Sequence, residues 1–240
     1  MPLRDDDAAL LAEMEPFTFG EGAVRKAWSI GSGPLVVLVH GWGGIGAQMA
    51  PLAVALAEAG LQCVLFDALG HGQSADGSIG FDGFGNDTAA LCQHLGEKPH
   101  ALVGHSAGGL GMIAARYRHG LRAQHYVCIA VPLFPYVPLE TLMGRLSLQA
   151  EQVAPLKPLL ARQFDRDWDA LAAGSVFAAN PAGRLTLIYD RADERVRHGD
   201  ADQIAKLWPD AAITKTDGLG HNRILKDPTV LAAITARLQQ

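Results

Sequence analysis

The chain has little that would suit a nucleic-acid partner, a membrane or an oxidising compartment. Its 20 lysines and arginines stand against 25 aspartates and glutamates, giving a formal charge of −5, and no segment gathers the basic residues into a block. A protein that displaces counterions from phosphates needs such a cluster, so no nucleic-acid partner is expected. No apolar run approaches the ~18 residues that a membrane-spanning helix requires. Asp5, Asp6 and Asp7 occupy the place where a signal peptide carries a basic start and then an apolar stretch. The three cysteines, Cys63, Cys92 and Cys128, are odd in number and lack metal-ligand spacing. Cys63 and Cys128 sit in apolar runs, so buried reduced thiols are expected. These absences predict a cytoplasmic protein with no membrane partner.

What the chain does have is apolar residues in a regular rhythm. At 240 residues, 49% apolar and 19% charged, it can bury the core of one large α/β domain. Residues 1–22 are polar and read as peripheral, with one short helix before Pro16. Val24–Ile30 reads as a strand and is followed by the turn "GSGP". "LVVLV", Leu35–Val39, is an unbroken apolar run of the kind buried on both faces of a parallel sheet. Met49, Leu52, Ala53 and Leu56 follow at helical spacing, and Gly60 stops that helix. The alternation continues with the strand "LQCVLF", a helix over Phe81–Leu95, the strand "HALVGH", a helix over Ala107–His119 and the strand "HYVCIAV". "RLTLIY", a helix up to Trp208, "AAITKT" and a final helix complete it. Asp227 caps that last helix, Pro228 takes its first position, and Val230, Leu231, Ile234 and Leu238 form its apolar stripe. Strands alternating with helices predict a mostly parallel sheet with helices on both faces.

One stretch breaks the rhythm. Between Pro132 and Pro181 no strand is expected, and Pro132, Pro135 and Pro138 punctuate its start. Leu139, Leu142, Met143 and Leu146 sit at helical spacing, and Leu160, Phe164, Trp168 and Leu171 do so again. The division that follows is a core of residues 1–131 and 182–240, with a small helical cap, 132–181, inserted between two core strands. Leu139, Met143, Phe164 and Trp168 are candidates to line a substrate pocket, and equally to pack the cap onto the core.

The chemistry centres on "ALVGHSAGGLG", residues 101–111. Gly104 and Gly108 flank Ser106 at minus two and plus two, where a strand runs straight into a helix. Such a turn forces its central residue into a strained backbone conformation, needs small neighbours, and lifts the hydroxyl clear of the sheet edge. The N–H of Ala107 then lies at a helix N-terminus, where partial positive charge favours an oxyanion. A serine needs a base, and the base an orienting acid. Among nine histidines, His40, His71 and His105 sit beside glycines and are expected to bond backbone. His94, His119 and His125 read as surface residues on or beside helices, and His100 and His198 flank elements without a partner. His221, in "DGLGHNR" after the last strand, emerges at the same sheet edge as Ser106. For the acid, Asp190, Asp193 and Asp217 all qualify; "CIAVP" after the preceding strand supplies none. Asp193 has the better reach, and Asp190 suits the turn. "VHGWGG" follows the first buried strand, and the N–H of Trp42 is the natural second oxyanion donor.

These stretches together resemble the α/β-hydrolase superfamily: "HGWGG" after the first core strand, "DALGHGQS" at 67–74, "GHSAG" at 104–108, an acid after the next-to-last strand and "GLGH" after the last. The order Ser106, Asp193, His221 is that superfamily's chain order. The resemblance runs from about residue 24 to the C-terminus, with the cap matched least. It implies Ser106 as nucleophile, His221 as base, Asp193 as orienting acid, and the N–H groups of Trp42 and Ala107 as oxyanion donors. It also implies that Asp67, Gly70, His71 and Gly72 shape a structural loop beneath the site. A serine nucleophile argues against a haloalkane dehalogenase, which attacks through a carboxylate. The expectation is a cofactor-free, metal-free serine esterase that cleaves a small or medium acyl ester. Alternatives on the same triad are a methyl esterase for a carrier-protein-linked acyl chain, a C–C bond hydrolase or a perhydrolase. The alternative of another class is a non-catalytic ligand-binding protein or receptor. An apolar cap is compatible with a homodimer.

Overall fold

The computed structural model describes residues 5–178 and 183–240, and the backbone alone of residues 5–7. The expected end of the cap at Pro181, the start of the second core segment at Ala182 and the side chains of Asp5–Asp7 therefore lie outside the described residues. The chain enters through α1 (Asp5–Ala12), β1 (Glu15–Phe19) and β2 (Arg25–Ile30). It continues as β3 (Leu35–Val39), α2 (Ala50–Glu58), β4 (Gln62–Phe66), α3 (Phe81–Leu95), β5 (Ala101–His105), α4 (Ser106–Arg118) and β6 (His125–Ile129). A run of short helices follows: α5 (Val137–Leu146), α6 (Ala150–Val153), α7 (Lys157–Arg162), α8 (Trp168–Ala172) and α9 (Ser175–Ala178). The chain closes with β7 (Arg184–Asp190), α10 (Asp200–Leu207), β8 (Ala212–Thr216), α11 (Gly220–Arg223) and α12 (Pro228–Leu238).

Among the described residues, eight strands form one sheet in the order β1-β2-β4-β3-β5-β6-β7-β8. β2 runs antiparallel to both β1 and β4, and every other pairing is parallel. Alternation within each strand sends successive side chains to opposite faces, where two apolar cores form. Val37, Val39 and Leu102 join Phe84 and Leu91 of α3, Leu110 and Ile113 of α4 and Ile204 of α10. Val36, Leu38 and Val103 join Leu52 and Leu56 of α2 and Val230, Ile234 and Leu238 of α12. Each fully buried Leu, Ile, Val or Phe side chain contributes roughly 1.5–3 kcal/mol, so both faces hold the helices that aim the loops. The fold class is that expected, α/β with a mostly parallel sheet covered on both sides.

The differences from expectation are local. Residues 15–19 are not merely peripheral: β1 is an edge strand, with Pro16 opposite Trp28. An edge tolerates a proline because one side of the strand makes no ladder bonds. The stripe Leu160, Phe164, Trp168, Leu171 is not one helix. α7 ends at Arg162, Asp165 takes φ +52°, and α8 restarts with the Asp167 carboxylate accepting the Ala170 N–H. Leu160 in α7, Phe164 in the joint, and Trp168 and Leu171 in α8 nonetheless pack on the same core. His125 is not a surface residue near a helix; it opens β6 and is buried. His100 is not partnerless: its ring packs 4.8 Å from that of His125, and its Nε2–H donates to the Leu238 carbonyl at 2.8 Å. No helix among the described residues is long and apolar enough to cross a membrane.

Candidate active site

The winding of the sheet reverses at β3. β3 lies between β4 and β5, so the chain leaves β3 toward one neighbour and later returns to the other. Ligands of open α/β sheets sit outside the carboxyl ends of the strands at such a point. The register pairs Val39 with Gly104, which sets the loop after β3 directly against the turn after β5.

Ser106 occupies that turn with φ +52°. A non-glycine residue held there stores roughly 1–3 kcal/mol of strain, which the surrounding packing must sustain. The packing is close because two neighbours lack side chains. A Cβ on Gly108 would overlap the carbonyl oxygen of His40, and one on Gly41 would stand 3.1 Å from the Ser106 Cβ. The hydroxyl therefore lies at the head of α4 beside the 40–44 loop, almost buried.

That loop is pinned by imidazoles and a carboxylate. The Ala68 N–H donates to His40 Nε2 at 3.0 Å, which puts the proton of His40 on Nδ1, where it donates to the Gly41 carbonyl at 2.8 Å. The Gly43 N–H donates to His71 Nε2 at 3.3 Å, and His71 Nδ1–H donates to Leu69 O at 3.0 Å. Asp67 accepts from the N–H groups of Gly46 at 2.6 Å and Gln73 at 2.7 Å. Burial drives the pKa of His40 down to about 3, so it stays a neutral strut. Gly44 N–H closes a turn onto Gly41 O. The N–H groups of Trp42 and Ala107 lie within these two fixed segments, on the β3 loop and in the first turn of α4, whose leading N–H groups have no partner inside the helix.

From the other side of the sheet come two aspartates with different tasks. Asp190, the last residue of β7, accepts from Ala192 N–H at 2.9 Å, Gly220 N–H at 2.9 Å, Leu219 N–H at 3.0 Å and the Thr216 hydroxyl at 2.7 Å. Burial opposes its charge, but these bonds prevail and hold its pKa at about 2. It clamps the start of α11, and with it His221, to the end of β7. Asp193 meets the ring: His221 Nδ1–H donates to its Oδ2 at 2.7 Å. Burial raises the pKa of Asp193, and the bond from His221 with the N–H groups of Val196 and Arg195 outweighs it, leaving the carboxyl below the usual range. With its proton on Nδ1, His221 offers a bare Nε2 to the Ser106 hydroxyl, which donates to it at 3.1 Å. Asp217 instead pairs with Arg191 at 2.7 Å on the surface.

The four candidate pocket residues, on or between the short helices after β6, divide by burial. Leu139 and Phe164 are buried, with Phe164 packed 5.3 Å from Phe81, itself 5.3 Å from Trp42. Met143 and Trp168 are half-buried, and Trp168 packs edge-on against Phe134. Sequence reasoning missed the clasp at the cap's stem. Tyr136 donates to the buried Asp200 at 2.7 Å and accepts from Arg197 N–H at 3.0 Å, tying residues just before α5 to the stretch that carries Asp193. Asp200 beginning α10 reads as an ordinary helix-start acid, and nothing local points across the 64 residues to Tyr136. Among the described residues, no three His, Cys, Asp or Glu side chains are placed to hold a metal ion.

A family model for the alpha/beta hydrolase fold matches residues 34–167, more than half of the chain. The chain belongs to the alpha/beta hydrolase family. Its curated relatives share shorter stretches. A non-heme haloperoxidase of Rhodococcus erythropolis is 33% identical over 111 residues, 45% of this chain and 40% of that protein. A bifunctional esterase/perhydrolase of Acinetobacter calcoaceticus is 30% identical over 111 residues, with the same coverages of 45% and 40%. A magnesium-chelatase 30 kDa subunit of Rhodobacter capsulatus is 38% identical over 80 residues, 32% of this chain and 28% of that protein. The matches thus span less than half the length of these curated relatives. Solved hydrolases agree in fold at low identity: an esterase of Rhodococcus sp. ECU1013 has a TM-score of 0.71 at 17% identity, covering 95% of this chain and 99% of its own.

Proposed function

We propose that the chain is a serine hydrolase that cleaves a carboxylic ester of a small or medium acyl group through an acyl-enzyme. The observation that carries this reading is the continuous hydrogen-bond line from the Ser106 hydroxyl through His221 to Asp193, with distances of 3.1 and 2.7 Å. His221 Nε2 takes the hydroxyl proton as Ser106 Oγ attacks the acyl carbonyl. Asp193 keeps the ring in the right tautomer and stabilises the imidazolium. The N–H groups of Trp42 and Ala107 hold the oxyanion, each worth roughly 3 kcal/mol in the transition state. His221 then protonates the leaving alcohol, and water repeats the sequence on the acyl-enzyme. Neither a metal nor an organic cofactor enters these steps. We assign the acyl pocket to the cap, with Met143 and Trp168 as its accessible faces and Leu139 and Phe164 as the packed wall.

The relatives named haloperoxidase and esterase/perhydrolase favour a second outcome for the same acyl-enzyme, attack by hydrogen peroxide to give a peracid. The binding-protein reading is disfavoured by the complete line of bonds. The charge balance and hydropathy favour a cytoplasmic protein that works on a small molecule rather than on nucleic acid or membrane. The test is hydrolysis of p-nitrophenyl esters over a range of acyl lengths, with and without peroxide, by wild type and Ser106→Ala. Activity lost in the variant supports the nucleophile, and its chain-length optimum gauges the pocket. Activity retained in the variant overturns the assignment. No turnover and no labelling by a phosphonate probe moves the choice to the binding protein.

A further inference from the structure

His105, the residue before Ser106, takes no part in the steps above, yet its ring is 3% exposed and 4.7 Å from that of His221. Its Nε2 lies 3.0 Å from the backbone carbonyl oxygen of His221. A carbonyl only accepts, so the proton of His105 is on Nε2 and Nδ1 carries a bare lone pair. That Nδ1 has no hydrogen-bond partner among the described residues, and it faces Gly41, whose added Cβ would stand 2.9 Å away. An orphaned acceptor costs free energy, whereas an apolar ring of similar size would fill the space without one. The imidazole's distinct contribution is the bond to His221.

We infer that His105 is a positioning residue, whose Nε2–H bond to the His221 carbonyl sets the base against the nucleophile. This rests on the Ser106–His221 reading. The backbone of the base is then pinned from both sides. The N–H groups of Leu219 and Gly220 go to Asp190 just before His221, and the carbonyl of His221 itself goes to His105. Because His105 adjoins Ser106 in the chain, a single bond links the peptides of nucleophile and base across 116 residues. The ionisable groups that act on His105 are His221, Asp193 and His40. Burial first, and then the neighbouring His221, bring the pKa of His105 to about 3, so the strut stays neutral while the base beside it gains and loses its proton.

The test is the rate at which a fluorophosphonate probe labels wild type, Ser106→Ala, His105→Phe and His105→Gln, with far-ultraviolet circular dichroism on each. The amide nitrogen of glutamine reaches where Nε2 stands; phenylalanine fills the space without donating. The expected result is no labelling of Ser106→Ala, labelling about tenfold slower in His105→Phe, as for the loss of one positioning hydrogen bond, and near-complete recovery in His105→Gln. A phenylalanine variant as fast as wild type, or glutamine slowed as much as phenylalanine, overturns the inference. Labelling that survives Ser106→Ala, or none in wild type, overturns the triad reading itself. Should His105→Phe fail to fold, nitrogen-15 NMR of the wild-type imidazoles decides. A neutral Nε2–H tautomer for His105 between about pH 5 and 8 supports the inference, and the Nδ1–H tautomer or protonation in that range overturns it.

Discussion

The carboxyl edge of the sheet and the helical segment between β6 and β7 are held to different degrees by hydrogen bonds. At the edge the loops are dense in hydrogen bonds: Asp190 accepts four, Asp67 two, and His40 and His71 each bond two backbone groups. In the cap the helices are short and leave Leu146 and Leu159 61% and 53% exposed. The cap is clasped at its stem by Tyr136 on Asp200. At its far hinge Gln163 accepts from Phe81 N–H, Tyr117 donates to Phe164 O and Arg118 to Gln163 O. Directional bonds fix the loops around Ser106 and His221, while the helical segment between β6 and β7 combines apolar contact with bonds at two points.

Five substitutions test that contrast, the largest effect first. Ser106→Ala is expected to lower ester turnover by about 10⁴-fold or more, as removal of a triad nucleophile does, and to leave the denaturation midpoint unchanged or higher because the φ +52° strain persists. Steady-state kinetics and urea melts read both quantities. Phe164→Ala is where the contrast is most exposed, since this cap-hinge residue is fully buried against Phe81. It should cost about 3–5 kcal/mol of stability, the usual range for a buried phenylalanine; a cost near zero would show that the cap does not share the core.

Asp190→Asn should cost about 1–3 kcal/mol at neutral pH, because three backbone N–H groups and the Thr216 hydroxyl lose a charged acceptor. Here the sign with pH is definite. The carboxyl of Asp190 is depressed in the folded state from 3.8 to about 2, so its contribution is complete above 3.8 and is lost as pH falls toward 2. Urea melts of wild type and variant at stepped pH should converge through that window. Their remaining parallel would show that the four bonds do not favour the ionised form. Smallest of all, Leu146→Ser and Leu159→Ser should change stability by less than about 0.5 kcal/mol, as exposed substitutions do. A larger loss in thermal melting would mean that these exposed leucines are buried against something in solution.

How far the sequence carried can be judged element by element. α3 was legible to its limits, Phe81–Leu95, because Phe81, Phe84, Leu91, Cys92 and Leu95 fall on one helical face and Gly96 takes the left-handed cap at φ +69°. β3 was legible because five apolar residues bounded by turn signals have no other comfortable place. β1 was not, since an acidic, proline-containing edge strand looks like a solvated lead-in. The break at Asp165 was not, since a stripe spanning two helices keeps helical spacing across the joint. His125 was misplaced by weighing the helix upstream above the strand that it opens.

The sequence alone determined the alternation of strands and helices, the Gly-flanked serine between a strand and a helix, and a histidine following the last strand. Each of these is a local matter of periodicity, small residues and chain order. Only the tertiary structure decided which of Asp190, Asp193 and Asp217 faces the imidazole, that His105 reaches the carbonyl of His221, and that Tyr136 closes on Asp200. Those choices depend on ångström differences between groups 28 to 116 residues apart, which the packing of two cores sets and no spacing along the chain records.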